Sequence, residues 1–243
     1  MRCSPHGRSL MGKGTLYGVG VGPGDPELVT LKAIRTIEAC RVVVAPRART
    51  GSSLALSIVR ANVDLTCHEV IGVPFAMAGE DDARDARRAD AAALVVSRLE
   101  QGLDVAMPTL GDPAIYSTFQ RIAAAVRGEG FTVRQVPGVP SFCAVAAALD
   151  ADLTPDPALP VHIVPALCRD SLGEVADLSG TVVLMKAGGE AEGLACALRE
   201  AGVLERTRLV SNCGRPDELV LRRLDAPDVP DKLGYFSTAV VLP

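Results

Sequence analysis

Four short stretches combine residue types that could hold a small molecule. The first, Gly18-Val-Gly20-Val-Gly22-Pro23-Gly24-Asp25-Pro26, follows a Val-rich run and precedes a helical pattern. Its glycines permit a tight turn and close approach of backbone to a ligand. It is not a dinucleotide fingerprint, because the third glycine of G-x-G-x-x-G falls on Pro23 and the second strand pattern ends in Pro46 rather than an acidic residue that could grip a ribose. No G-K-[ST] follows, which excludes a P-loop. The loop's plainer role, a turn that packs helix on strand, weighs about equally from these residues alone. The second stretch runs from Leu110-Gly111-Asp112-Pro113 through Ile115, Ser117, Thr118 and Phe119. Asp112 offers a carboxylate to a hydroxyl or cation, and Ser117 or Thr118 a hydrogen bond. By itself, Asp112 before Pro113 reads better as an ordinary helix start. The third is Val136-Pro137-Gly138-Val139-Pro140-Ser141-Phe142, where Ser141 could equally be an N-cap and Phe142 core. The fourth is Val183-Leu184-Met185-Lys186-Ala187-Gly188, whose methionine taken alone suits a core.

Other chemistry finds few carriers. Cys67-His68-Glu69 tempts as a metal site, but consecutive strand residues alternate faces and cannot converge on one ion; no metal site is expected. His6 and His162 have no suitable neighbours in sequence, and neither G-x-S-x-G nor H-E-x-x-H occurs. The seven cysteines are scattered, odd in number and form no C-x-x-C, so most are expected to be reduced and buried rather than part of a disulfide framework.

The elements that must position these stretches follow from periodicity. Val/Ile-rich runs at 15–21, 41–45, 67–73, 104–107 and 132–136 predict five strands. Between and after them, 26–39, 53–60, 81–101, 116–127 and 141–149 predict helices. The 81–101 pattern opens on acidic residues and places Arg87, Arg88 and Arg98 later, the order the helix dipole favours. This alternation predicts a largely parallel sheet, with the first three stretches at the ends of its strands. Pro155, Pro157 and Pro160 mark a long connection or interdomain segment. Five more strands are expected at 161–164, 181–185, 208–211, 218–222 and 235–242, with helices only near 172 and at 191–201. The last two strands leave no room for a helix between them, so the second sheet should be mixed. The expected division is a disordered leader at 1–13, an N-terminal α/β domain at 14–142 and a C-terminal α/β domain at 143–243.

Composition bounds the function. A chain of 243 residues, 48% hydrophobic and 22% charged, can bury a sizeable core. A net charge of −4 argues against nucleic acid or an anionic membrane as partner. The absence of Trp, with five Phe and three Tyr, disfavours a base-stacking platform. No apolar run approaches the roughly 20 residues of a membrane span, and 1–13 lacks the apolar stretch of a signal peptide. A cytoplasmic location is expected.

Taken in this order, the four stretches resemble the tetrapyrrole methylase family over essentially the whole chain from about Gly14. The opening from Leu16 to Lys32, the Gly111-Asp112-Pro113-x-x-Tyr116-Ser117-Thr118-Phe119 stretch and Tyr235-Phe236-Ser237 are similar to the branch that methylates C20 of precorrin-2. The resemblance implies two α/β domains with a cofactor cleft between them, S-adenosylmethionine as methyl donor (leaving S-adenosylhomocysteine), and a homodimer. Carried over by motif, the implied cofactor residues are Pro23, Leu110, Gly111, Asp112, Ile115, Ser117, Thr118, Pro140, Ser141, Phe142, Met185 and Cys213. Leu110 stands where many relatives have Gly, which implies a backbone contact. Pro140 stands where Thr is common, so a side-chain hydrogen bond is lost.

The implied reaction needs alignment more than acid–base power, and no general base is nominated. The acetates and propionates of precorrin-2 suit arginine forks. Arg47, Arg49, Arg84, Arg87 and Arg88 are the candidates, although a solvated helix face is the plainer role for the last three. Three other readings stay open: methylation of the cobalt-containing substrate, a nicotinamide-dependent oxidoreductase, and a non-catalytic tetrapyrrole carrier. The broken fingerprint counts against the oxidoreductase, and retention of all four stretches counts against the carrier.

Overall fold

Val-rich runs separated by Ala-rich segments build two α/β units in a computed structural model that describes residues 12–47, 52–74, 81–165 and 172–243. The first unit extends through Pro140 and the second from Ser141 to Pro243. In the first, β1 (Thr15–Gly20), β2 (Val42–Arg47), β3 (Glu69–Pro74), β4 (Val105–Thr109) and β5 (Thr132–Val136) form one parallel sheet in the order β3-β2-β4-β1-β5. Its inner strands carry continuous apolar runs because both faces are covered. Val19, Val43, Ala45 and Ala106 face α1 (Leu31–Ala39) and α2 (Leu54–Asn62). Leu16, Val42, Val44 and Met107 point the other way, onto α3 (Asp81–Glu100) and α4 (Phe119–Gly128).

Two helices start later than periodicity predicts. The pattern at 26–39 splits into a 3-10 turn at Pro26–Leu28, capped by Asp25, and α1. Val29 and Thr30 are extended, and the Thr30 hydroxyl accepts the Ala33 N–H at 3.1 Å as the N-cap. Helix α4 begins at Phe119 rather than at 116 because Tyr116 has φ +45°, outside the helical region.

The second unit holds α5 (Ser141–Leu149), β6 (Val161–Pro165), α6 (Leu172–Ala176), β7 (Thr181–Met185), β8 (Gly189–Glu190), α7 (Ala191–Glu200), β9 (Thr207–Ser211), β10 (Leu219–Leu221), β11 (Lys232–Leu233) and β12 (Ser237–Val241). Its main sheet runs β10-β9-β12-β7-β6. Only β6 and β7 pair in parallel, which makes it the mixed sheet expected. On one face Leu184, Leu209, Ala239 and Val241 pack against Leu194 and Leu198 of α7. On the other, Val210, Cys213 and Val240 pack against Val145 and Leu149 of α5. The short β8–β11 ladder has no sequence signal, and the last strand starts at Ser237, two residues later than expected. The Pro-rich stretch at 150–160 connects α5 to β6 within this unit.

No described helix is long and apolar enough to cross a membrane. Most of the leader lies outside the described residues; at its end, the Lys13 ammonium sits 4.8 Å from the centre of the Phe131 ring. Among the described cysteines the expectation fails in part. Cys40 and Cys213 are buried thiols as expected, Cys143 and Cys196 are thiols but exposed, and Cys67 is disulfide-bonded.

Burial, reinforced by the nearby Asp104 carboxylate, pushes the Cys40 thiol from 9.0 up to about 12. The fold holds Cys40 as a neutral thiol that the unfolded chain ionises near pH 9. Its contribution to stability is therefore complete below pH 9 and is lost as pH rises towards 12. Mass spectrometry after alkylation of the native protein at pH 8 should find Cys143 and Cys196 modified and Cys40 intact. Equal labelling of Cys40 would contradict its burial.

Candidate functional site

Strands β4, β1 and β5 are neighbours and parallel, so the segments that leave their carboxyl ends lie side by side. These are 21–25, 110–118 and 137–140, the first three of the four stretches. The ladder between β1 and β4 continues past the strands: the Val21 N–H donates to the Thr109 carbonyl at 3.0 Å, and the Gly111 N–H donates to the Gly22 carbonyl at 2.7 Å. Gly22 and Gly111 have φ +78° and +70°, a region that glycine enters without steric cost.

Backbone packs on backbone here. A Cβ at Gly138 would lie 2.3 Å from the Gly111 carbonyl oxygen and 2.7 Å from the Gly20 Cα. A Cβ at Gly20 would lie 2.4 Å from the Gly138 nitrogen. The three loops thus touch through glycines with no room for side chains. Asp112 ties them: one carboxylate oxygen accepts the Ala114 N–H at 2.7 Å, and the other accepts the Gly138 N–H at 3.0 Å. Gln120 adds a brace, with Nε2 donating to the Pro113 carbonyl and to Gln135 Oε1. Asp112 is therefore not the cap of α4 that its sequence context favours: the helix starts seven residues later, and Asp112 binds across to the loop after β5.

Around this floor, Pro23 and Gly111 are buried, and Leu110, Asp112, Ile115, Ser117, Thr118 and Pro140 are half-buried. Leu110 packs its side chain against the α1–α2 core. The Ser117 hydroxyl accepts the Phe119 N–H at 3.1 Å, a local bond that occupies one of its lone pairs. Thr118 precedes α4 without a side-chain cap.

The remaining candidates belong to the second unit. Ser141 and Phe142 open α5 and are half-buried. Met185 ends β7, half-buried; Cys213 is buried beside Val210. Non-glycine residues with positive φ follow two strands here, Lys186 at +61° and Asn212 at +54°. Such conformations cost free energy and concentrate at functional sites.

Arg47, exposed at the end of β2, lies over Gly72, where an added Cβ would meet its Cδ at 2.4 Å. Arg49 lies outside the described residues. Arg84, Arg87 and Arg88 fall on α3; Arg87 is exposed and Arg88 pairs with Asp85 one turn earlier. Cys67, His68 and Glu69 disperse: Cys67 is disulfide-bonded, His68 Nε2 lies 3.2 Å from the Ile37 carbonyl, and Glu69 pairs with Arg98 at 2.7 Å. Hydrogen bonding from Arg98 holds the Glu69 carboxyl below its usual range.

Gly20 and Gly138 are site-forming residues that motif reading left out. Their signal is a glycine at the carboxyl end of each strand: Gly20 closes β1, and Gly111 and Gly138 lie two residues past β4 and β5. The three loops contain no His, Cys or Lys, so the arrangement offers binding and orientation rather than proton transfer by a strong base. A dense floor of peptide groups at the carboxyl ends of parallel strands suits a small polar ligand rich in hydroxyl, amino and carboxylate groups.

The family model described as Tetrapyrrole (Corrin/Porphyrin) Methylases matches residues 15–226. A cobalt-precorrin-2 C(20)-methyltransferase of Salmonella typhimurium is 31% identical over 229 residues, 94% of this chain and 96% of that protein. A crystal structure of uroporphyrin-III C-methyltransferase from Thermus thermophilus is 27% identical, with TM-score 0.64, and the match covers 94% of this chain and 92% of that one. A structure of that Thermus enzyme complexed with S-adenosylhomocysteine, 22% identical with the same coverage and TM-score, shares the fold.

Proposed function

Because this chain belongs to the tetrapyrrole methylase family, we propose that it transfers a methyl group from S-adenosylmethionine to C20 of precorrin-2 in cobalamin biosynthesis. The observation that carries this reading is the near full-length similarity to a C20-methyltransferase, joined to a glycine floor where that family's motifs fall. When bound, the donor supplies an electrophilic methyl on a cationic sulfur. The protein's own residues then bind and orient. The Gly20–Gly111–Gly138 floor fixes the three loops, Asp112 holds two of them in register, and Pro23, Leu110 and Ile115 surround the floor. Ser117, Thr118, Pro140, Ser141, Phe142, Met185 and Cys213 complete the proposed cofactor contacts. Orientation of this kind can lower a barrier by roughly 7–11 kcal/mol. Arg47, Arg49, Arg84, Arg87 and Arg88 remain proposed partners for substrate carboxylates.

Calorimetry should find S-adenosylhomocysteine bound at micromolar concentration, and precorrin-2 should gain one methyl group per turnover. Absence of binding at millimolar concentration, or methylation at another carbon, would sink the reading. The cobalt-containing substrate is the second reading, favoured by the name of the Salmonella relative. Parallel assays with metal-free and cobalt-loaded precorrin-2 separate the two. A homodimer in the cytoplasm belongs to the same proposal. Among the described residues the thiols of Cys40, Cys143 and Cys196 suit a reducing compartment, with Cys67 the exception; light scattering near twice 25.3 kDa would support the dimer.

A further inference from the structure

Two of the chain's eight Tyr and Phe residues are neighbours that both reach the surface. Tyr235 and Phe236, 39% and 40% exposed, form an edge-to-face pair with ring centres 5.2 Å apart. They immediately precede β12, which runs antiparallel to β7 and β9, so they lie where those two strands end. Each ring carries a cation. Lys186 Nζ is 5.9 Å from the Tyr235 ring centre, and the Arg215 guanidinium is 5.8 Å from that of Phe236.

The two cations are not equivalent. Arg215 is neutralised locally: Nε pairs with Asp217 at 3.2 Å, Nη2 reaches the same carboxylate, and Nη1 donates to Asn212 Oδ1 at 3.0 Å. Lys186 makes no ion pair among the described residues. Its backbone, at φ +61°, sits directly after Met185, and Asn212 at +54° occupies the matching place after β9. The segment bearing the rings is also fixed. Gly188 passes Gly234 so closely that a Cβ would lie 2.1 Å from the Gly234 carbonyl, and the Ser237 hydroxyl lies 2.6 Å from that oxygen. Two part-exposed aromatic rings, next to an ammonium that has no ion pair among the described residues, fit an apolar ring system that bears carboxylates.

Resting on the function proposed above, we infer that Tyr235, Phe236 and Lys186 form a substrate-positioning patch. The rings take the edge or face of the tetrapyrrole, and Lys186 takes one peripheral carboxylate. Arg215 holds Phe236 in place rather than binding substrate.

The test uses the full chain and a tetrapyrrole octacarboxylate of the uroporphyrin type, with its octamethyl ester as a neutral probe, by fluorescence titration. Lys186→Gln should weaken the free acid about tenfold, the loss of one charge-assisted contact of about 1.4 kcal/mol, and leave the ester unchanged. Phe236→Ala should weaken both. Lys186→Arg should restore the acid. In the methylation assay, Lys186→Gln should raise KM with little change in kcat, and S-adenosylhomocysteine affinity should stay within twofold in all three variants. Equal binding of the acid by Lys186→Gln and the unaltered protein overturns the inference; so does a parallel loss of S-adenosylhomocysteine affinity, which would make the patch a cofactor seat. If the unaltered protein methylates C20 while the variants match it, the patch fails and the function stands. If it binds the acid through Lys186 yet methylates nothing, the function fails and the patch stands.

Discussion

Replacing Gly138 by alanine is expected to cost about 1–3 kcal/mol of stability, the usual range for overpacking, and to lower S-adenosylhomocysteine affinity by roughly two orders of magnitude, equivalent to about 2.8 kcal/mol. The reason is space rather than backbone conformation, since Gly138 is not among the residues with positive φ. The new Cβ would lie 2.3 Å from the Gly111 oxygen and 2.7 Å from Gly20, and both neighbours are backbone, which cannot rotate away. The loops after β1, β4 and β5 must part, and a ligand seated on them loses its floor. Gly128→Ala, at the last residue of α4 with nothing within 4 Å, supplies the opposite sign. It should raise stability by about 0.4–1 kcal/mol and leave binding untouched. Thermal melting and ligand titration on the same samples check both. A destabilised Gly138→Ala that binds at full affinity would show that the floor is structural only.

The second large effect is expected at Asp112. Its two carboxylate oxygens serve two backbone donors, Ala114 and Gly138. Asparagine keeps one acceptor and turns an amide donor towards the other N–H. Asp112→Asn should therefore destabilise by about 1–3 kcal/mol, because it strands one of the two N–H groups, and Asp112→Ala, which strands both, should cost at least as much. Affinity for S-adenosylhomocysteine should fall at least tenfold in both. Chemical denaturation with a common slope would measure the stability change. An Asp112→Asn midpoint equal to that of the unaltered protein would mean that the tie between the loops carries no net energy.

Sequence pattern reveals much of this architecture and leaves specific gaps. Alternating Val-rich and Ala-rich segments mark ten strands of the two main sheets because burial on both faces forces apolar continuity, as in Val42–Ala45. Strand order is another matter. That β1 lies between β4 and β5 depends on long-range packing, and the meeting of Gly20, Gly111 and Gly138 follows from that order alone. Motif positions gave Gly111 and Asp112, but the double tie made by Asp112 needs Gly138 at its side. Tyr116 fits a helical pattern in one dimension; its left-handed backbone delays α4 to Phe119. Tyr235 and Phe236 likewise read as strand residues, since an aromatic pair before Ser237 extends an apolar run, yet the ladder begins only after them.

The place of β12 bears on how a nascent chain acquires this structure. It follows every other strand in chain order but lies in the middle of its sheet, between β7 and β9. Until it emerges from the ribosome, β6–β7 and β9–β10 are separate pairs, each with an open edge destined for β12. Unpaired edges recruit other strands, and distant pairings form slowly. The first unit, complete by Pro140, has no such wait. Ribosome stalling between β10 and β12 should therefore leave the second unit, not the first, exposed to chaperones and proteases.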